Sequence, residues 1–256
     1  MKYTYEQMAG MIDHSLLHPT MTDSELEAGC KLAGKYKVAS VCIKPYAVKM
    51  ASAILKGTGV QVGAVVGFPH GGSVTEVKCF ETEAACKDGA TEIDMVINIG
   101  KALSGDWEFV TQDIKRVTET AHKHGAIVKV IFENDFIIDD RLKIQLCKIC
   151  ESVGADFVKT STGYGFVKGQ DGKYSYKGAT EADLKLMRAN CSAKVQVKAA
   201  GGIRDLDALM RARDLGVTRV GATATALMLD DYKRRAAAGL NGANGDKKST
   251  LGSGGY

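Results

Sequence analysis

No hydrophobic run in this chain approaches the ~20 residues that a membrane-crossing helix needs, so no membrane partner is expected. The first residues, Met1-Lys2-Tyr3-Thr4-Tyr5-Glu6, lack the apolar region of a secretory signal. The basic residues make no arm or stripe interleaved with aromatics, which argues against nucleic acid as a partner. Cysteine occurs seven times, but the count is odd and the spacing irregular. That excludes a disulfide framework and fits free thiols in a reducing compartment, so a cytoplasmic location is expected. What is present is an ordinary globular composition: 45% hydrophobic and 25% charged residues, with a formal charge of +4 over 256 residues. The slight positive balance suits an anionic small-molecule substrate.

Short β-branched runs alternate with longer helical patterns along the chain. The runs lie at 10–14, 38–43, 60–68, 92–97, 126–132 and 219–222, with two more that carry Lys159 and Lys198. Helix signals follow them. Thr22 and Glu25 have capping-box spacing, Pro45 suits a first helical position, and Ser73 with Glu76 suggests another start. Helical patterns are expected near 106–124, 139–153 and 223–236. Eight β–α units imply a parallel sheet. At about 250 residues they match a (β/α)8 TIM barrel. An open doubly wound sheet is the alternative, but no G-x-G-x-x-G follows the first run, so the barrel is the expected α/β fold. Residues 3–9 read as an extra N-terminal helix. One catalytic barrel domain is expected over 1–238, with a hairpin inserted around Asp171-Gly172. A flexible, glycine-rich C-terminal tail is expected over 239–256.

Lys159 and Lys198 each stand near the end of an apolar run, just before a small-residue turn. A lone ammonium is costly to bury there. Side chains alternate along a strand, so Lys159 shares a face with Phe157 and Ser161, and Lys198 with Gln196 and Ala200. Asp94 shares one with Glu92, Val96 and Asn98, and Lys129 with Ile131. If the purely apolar faces pack on helices, Asp94, Lys129, Lys159 and Lys198 converge inside the barrel. The two late lysines then sit at the C-terminal strand ends, where barrel active sites lie. Strand spacing would put the two ammonium groups ~6–7 Å apart. Their repulsion, ~2–3 kcal/mol at an effective dielectric near ~20, favours loss of a proton from one of them. A neutral, buried lysine is an amine nucleophile. The alternative is that each lysine is structural, paired with a carboxylate such as Asp94 or Glu133.

Small-residue turns follow the last three strands: Ser161-Thr162-Gly163, Gly201-Gly202 and Gly221-Ala222-Thr223. They suit a phosphate held by backbone N–H groups and helix N-termini, although such glycines also occur for purely geometric reasons. His14 and His18 have no acidic partner at ligand spacing, so no metal is expected. Cys147 and Cys150 lie in an apolar helical pattern as core thiols. Cys42, at a strand end, is read as core with a border on the pocket, and Arg204 as a brace of the seventh turn.

Six segments together resemble the deoxyribose-phosphate aldolase family. They are 12–17 (IDHSLL), 41–45 (VCIKP), 66–71 (VGFPHG), 92–100 (EIDMVINIG), 158–163 (VKTSTG) and 197–204 (VKAAGGIR). The resemblance implies a class I aldolase that forms a lysine Schiff base without cofactor or metal. It implies reversible cleavage of 2-deoxy-D-ribose 5-phosphate to D-glyceraldehyde 3-phosphate and acetaldehyde, and assembly as a homodimer or larger homo-oligomer. Lys159 matches the Schiff-base lysine, Lys198 the second lysine that keeps the nucleophile's proton loosely held, and Asp94 the acid that moves protons with a water. Asp13, Ser15, Thr160, Gly163, Gly201, Gly202, Gly221 and Thr223 form the expected substrate-binding set, with Cys42 and the terminal Tyr256 as accessory residues. The chain departs from the common pattern in Ser15 for threonine, Tyr164 for phenylalanine or lysine, and threonine for serine in the eighth turn. Its insertion at 165–178 is longer than the family's.

Overall fold

The computed structural model describes residues 1–240. Among these residues ten strands occur in chain order: β1 (Ile12–Leu16), β2 (Ser40–Ile43), β3 (Gln61–Val66), β4 (Glu92–Val96), β5 (Ile127–Ile131), β6 (Phe157–Lys159), β7 (Val167–Lys168), β8 (Tyr174–Ser175), β9 (Gln196–Ala200) and β10 (Arg219–Ala222). All but β7 and β8 are parallel and close into one barrel, in which β6 pairs directly with β9 and β10 returns to β1. Ten α-helices accompany them among the described residues: α1 (Tyr5–Ala9), α2 (Asp23–Tyr36), α3 (Val48–Leu55), α4 (Thr75–Lys87), α5 (Ile99–Leu103), α6 (Trp107–Lys123), α7 (Asp140–Val153), α8 (Glu181–Ala189), α9 (Leu206–Asp214) and α10 (Thr225–Ala237).

The strand alternation explains the layering. Val41, Ile43, Ile93, Met95, Val128, Val130, Val158, Val197 and Val220 face outward. They pack with Leu26, Val48, Ile114, Leu146, Leu184, Leu209 and Met228 of the helices in one continuous core. Each such side chain contributes about 1.5–3 kcal/mol on full burial. The opposite faces of β4, β5, β6, β9 and β10 are thereby turned into the barrel with their charges. Register sets those charges beside each other: Asp94 opposite Lys129, Lys159 opposite Lys198, and Lys198 opposite Arg219.

The local signals were of unequal quality. Thr22 and Glu25 form the expected capping box on α2. Pro45 opens a single 3₁₀ turn, and α3 starts three residues later. Ser73 does not cap α4. The N-cap is Val74, which makes no side-chain cap, and Glu76 instead pairs with Arg116 at 2.5 Å. The first strand runs to Leu16 rather than ending at His14, because Gly10 is spent closing α1 and Ser15 and Leu16 pair with β2. Asn98 is not part of β4; its side chain caps α5. The inserted hairpin is present, with Val167 opposite Ser175 and Lys168 opposite Tyr174. The extra N-terminal helix α1 packs on α10, with Met8 and Ala9 buried and the Tyr5 ring edge-on to Tyr232 at 5.7 Å. No helix among the described residues is long and apolar enough to cross a membrane. Tyr256 and most of the expected tail lie outside the described residues.

Candidate active site

Asp94 stands at the centre of the barrel's charges. Its Oδ2 accepts hydrogen bonds from Lys159 Nζ at 2.6 Å and Lys198 Nζ at 2.8 Å, and its Oδ1 accepts one from Lys129 Nζ at 2.8 Å. Lys129 also reaches Glu92 at 2.7 Å, and Lys198 reaches Asp13 Oδ2 at 2.5 Å. Arg219 bridges Asp13 at 2.5 Å and Glu92 at 2.7 Å. Three carboxylates therefore face four cations, and apart from Arg219 none is more than 3% exposed. The two reactive-candidate lysines share one oxygen, so they lie closer than strand spacing alone implied.

A buried cluster of this kind is tolerable because its charges are matched at contact distance. Burial alone would raise the pKa of Asp94, but Lys129, Lys159 and Lys198 outweigh it and hold the carboxyl well below the usual range. Asp13 is likewise held down against burial, by Lys198, Lys129 and Arg219. Burial would also drive the proton off Lys198; Asp13 and Asp94 overcome it, so the Lys198 pKa is raised. Lys129 and Arg219 are raised for the same reason, each by its carboxylate neighbours acting against burial. Lys159 differs from these three: its one carboxylate contact among the described residues is an oxygen that Lys198 also uses.

A cleft opens above the cluster at the C-terminal ends of the strands. It is lined by Ser15, Cys42, Lys159, Gly163, Lys198, Gly201, Gly202, Gly221 and Thr223 from the expected set, together with Thr162, Tyr176 and Arg204. Asp94 lies beneath this surface and meets the cleft through the two lysines. Asp13 and Thr160, also in the expected set, are not among the residues that line it. Asp13 is fully buried under Lys198 and also accepts from Ser40 Oγ at 2.7 Å. Thr160 Oγ1 is used between strands, donating to the Ala200 carbonyl at 3.1 Å and accepting from its N–H at 3.0 Å. Cys42 does both things expected of it. It packs with Leu17, Val65, Phe68 and Tyr164 and borders the cleft, with Sγ 3.8 Å from Asp94 Oδ2. Burial, and then the Asp94 carboxylate, push its thiol up to about 11, so it stays protonated.

Glu133, which the structural alternative offered as a lysine's partner, makes no ion pair within 4 Å of a lysine among the described residues. It is buried with a left-handed backbone (φ 59°), and its carboxylate accepts from the Thr162 N–H at 3.3 Å and from the Thr162 hydroxyl. Burial pushes its pKa up to about 7 despite those hydrogen bonds. Its effect is to hold the loop after β6 in place beside Lys159. The two histidines turn to separate hydroxyls, His14 Nδ1 to Thr225 Oγ1 at 2.9 Å and His18 Nδ1 to Thr20 Oγ1 at 2.7 Å.

Residues 7–234 match the model of the DeoC/LacD family aldolases. The chain belongs to that family. Its relatives include the deoxyribose-phosphate aldolase of Rhodopirellula baltica, 48% identical over 91% of this chain and 92% of that one. The deoxyribose-phosphate aldolase of Clostridium perfringens strain 13 is 43% identical over 86% of this chain and 93% of that one. Among solved structures, the tetrameric deoxyribose phosphate aldolase of Aeropyrum pernix superposes with a TM-score of 0.79 at 29% identity, covering 90% of this chain and 92% of that one.

Three members of this aldolase's site were not read from the sequence. Arg219 begins β10, where a first strand residue gives no sign of facing Asp13, 206 positions away. Arg204 was read as a brace of the turn, but Asp205 caps α9 and Arg204 lines the cleft with no carboxylate partner among the described residues. Tyr176 lies in the inserted hairpin, outside every family motif. Nothing in the sequence singles it out, since Phe166 and Tyr174 of the same insertion are aromatic as well.

Proposed function

We propose that the chain is a class I aldolase that reversibly cleaves 2-deoxy-D-ribose 5-phosphate to D-glyceraldehyde 3-phosphate and acetaldehyde. The observation that carries this reading is the shared Asp94 oxygen, which joins a lysine at the cleft to a second lysine held protonated from below. With three carboxylates against four cations, the cluster is balanced in charge when Lys159 is a neutral amine. Lys159 then adds to the aldehyde carbon of the open-chain sugar, and loss of water gives a protonated imine, which restores the positive charge beside Asp94. The imine takes up the electron pair of the C2–C3 bond as it breaks, while the C3 hydroxyl gives up its proton and becomes the aldehyde of the three-carbon product. D-Glyceraldehyde 3-phosphate leaves and an enamine remains on Lys159. Protonation of the enamine carbon and hydrolysis of the imine release acetaldehyde. Asp94 lies within hydrogen-bond reach of both Nζ atoms, so with Lys198 and water it can carry protons to and from the carbinolamine and the enamine.

The substrate's phosphate is assigned to the Gly201-Gly202 and Gly221-to-Thr223 turns, with the Arg204 guanidinium on the same wall. The N-terminus of the thirteen-residue α10 follows the second turn and favours an anion there. Thr223 supplies a hydroxyl where serine is common. Seven free thiols fit a cytoplasmic enzyme. Assembly as a homodimer or larger is part of the same reading. Incubation with 2-deoxy-D-ribose 5-phosphate, followed by measurement of acetaldehyde, tests it. Release is expected, and its absence would reject the assignment.

A further inference from the structure

Tyr176 enters the cleft from a segment that no family motif contains. It precedes three backbone N–H groups that are all tied down. Those of Lys177 and Gly178 donate to the Asp135 carboxylate at 2.5 and 3.0 Å, and that of Ala179 donates to the Gly201 carbonyl at 3.1 Å. Gly178 and Gly201 lie back to back with φ of 68° and 89°. A Cβ on Gly178 would come within 2.7 Å of the Gly201 carbonyl carbon, and one on Gly201 within 2.9 Å of the Gly178 Cα. The return strand of the hairpin is thus fastened to the turn after β9. The Tyr176 ring is carried onto that turn, 3.2 Å from where a Gly201 Cβ would stand. Phe166 supports the ring edge-on at 5.1 Å, and Tyr176 is only 7% exposed. Tyr176 also lines a second cavity at the hairpin, together with Asn134, Asp135, Lys143 and Asp183, so this one residue borders both spaces.

We propose that Tyr176 is a specificity-determining residue that walls the phosphate end of the cleft, so that the inserted hairpin sets the preference for a phosphorylated over an unphosphorylated sugar. This rests on the aldolase reading and on the phosphate lying at the Gly201-Gly202 turn. With the ring in place, backbone N–H groups of that turn meet the anion shielded from water. Without it, the second cavity opens onto the turn and solvent competes for the same donors. A sugar that lacks the phosphate does not reach this wall.

The test compares Tyr176→Ala and Tyr176→Leu with the natural chain on 2-deoxy-D-ribose 5-phosphate and on 2-deoxy-D-ribose. For Tyr176→Ala we expect KM for the phosphorylated sugar to rise about tenfold or more, kcat to stay within about threefold, and kcat/KM for the unphosphorylated sugar to stay within about twofold. Tyr176→Leu keeps more of the buried volume than alanine does and should shift KM in the same direction by less; it serves if the alanine variant does not fold. Borohydride trapping of acetaldehyde, which carries no phosphate, should label Lys159 equally in all three. An unchanged preference, an equal fall on both sugars, or lost labelling in a folded variant would overturn the assignment. A natural chain that releases no acetaldehyde would instead sink the aldolase reading, whereas an active natural chain whose variants keep its preference overturns the role of Tyr176 alone.

Discussion

Lys198 and Lys159 differ by one carboxylate. Both reach Asp94 Oδ2, but Lys198 also holds Asp13, and the two carboxylates together raise the Lys198 pKa; the amine's role in the proposed mechanism falls to Lys159. Replacing Lys198 by leucine should therefore move the pH profile for imine formation at Lys159 to higher pH, because the neighbouring positive charge that repels its proton is gone. The same change leaves Asp13 and Asp94 short of a partner, and breaking a buried pair costs about 3–5 kcal/mol, so the melting temperature should fall as well. A profile that keeps its position in a folded Lys198→Leu protein would refute the role given to Lys198. Residues at this scale were legible where alternation alone decides direction, as for Asp94, Lys129, Lys159 and Lys198. They were not legible where contact depends on closing the barrel. Asp13 looks like a binding residue in its motif, yet closure sets β1 beside β10 and turns it toward Arg219 and Lys198.

Elements place the loops that surround the lysine. The capping box of α2 and the hairpin turn at Asp171-Gly172 were readable because each rests on contacts within a few residues. The loop after β6 was not, because its anchor comes from Glu133 at the end of the preceding strand, in a backbone conformation that a non-glycine residue seldom adopts. That anchor has a measurable signature. The folded-state pKa of Glu133 is raised to about 7 by burial, above the ordinary carboxyl value. Its contribution to stability is thus fully present below the ordinary value and is lost as pH rises through about 7. Glu133→Gln keeps an acceptor for Thr162 and removes the titration. Thermal melts at pH 5 and pH 8 should therefore differ less in the variant than in the natural chain, by up to about 2 kcal/mol of stability. An identical difference in both proteins would show that Glu133 does not carry the proton. The hairpin is the other half of this scale. Its presence could be read, but its attachment to the Gly201 turn could not, since two glycines with positive φ must meet before Tyr176 has a place.

At the scale of the molecule, the barrel was foreshadowed by eight β–α units, and the closed order of strands follows from them. Closure has a chemical consequence that no single segment holds. It brings charges from β1, β4, β5, β6, β9 and β10 into one cluster with one more cation than carboxylate, and two of those cations, Lys198 and Lys159, line an open cleft, Lys159 with the fewer carboxylate contacts. The central claim is that this cation, Lys159, is the amine that forms the Schiff base. Incubation of the whole chain with acetaldehyde and borohydride, followed by peptide mass mapping, tests that most directly. A single reduced adduct on Lys159, lost in Lys159→Leu, is the predicted result; an adduct on Lys198 or Lys129 instead, or none at all, would contradict it.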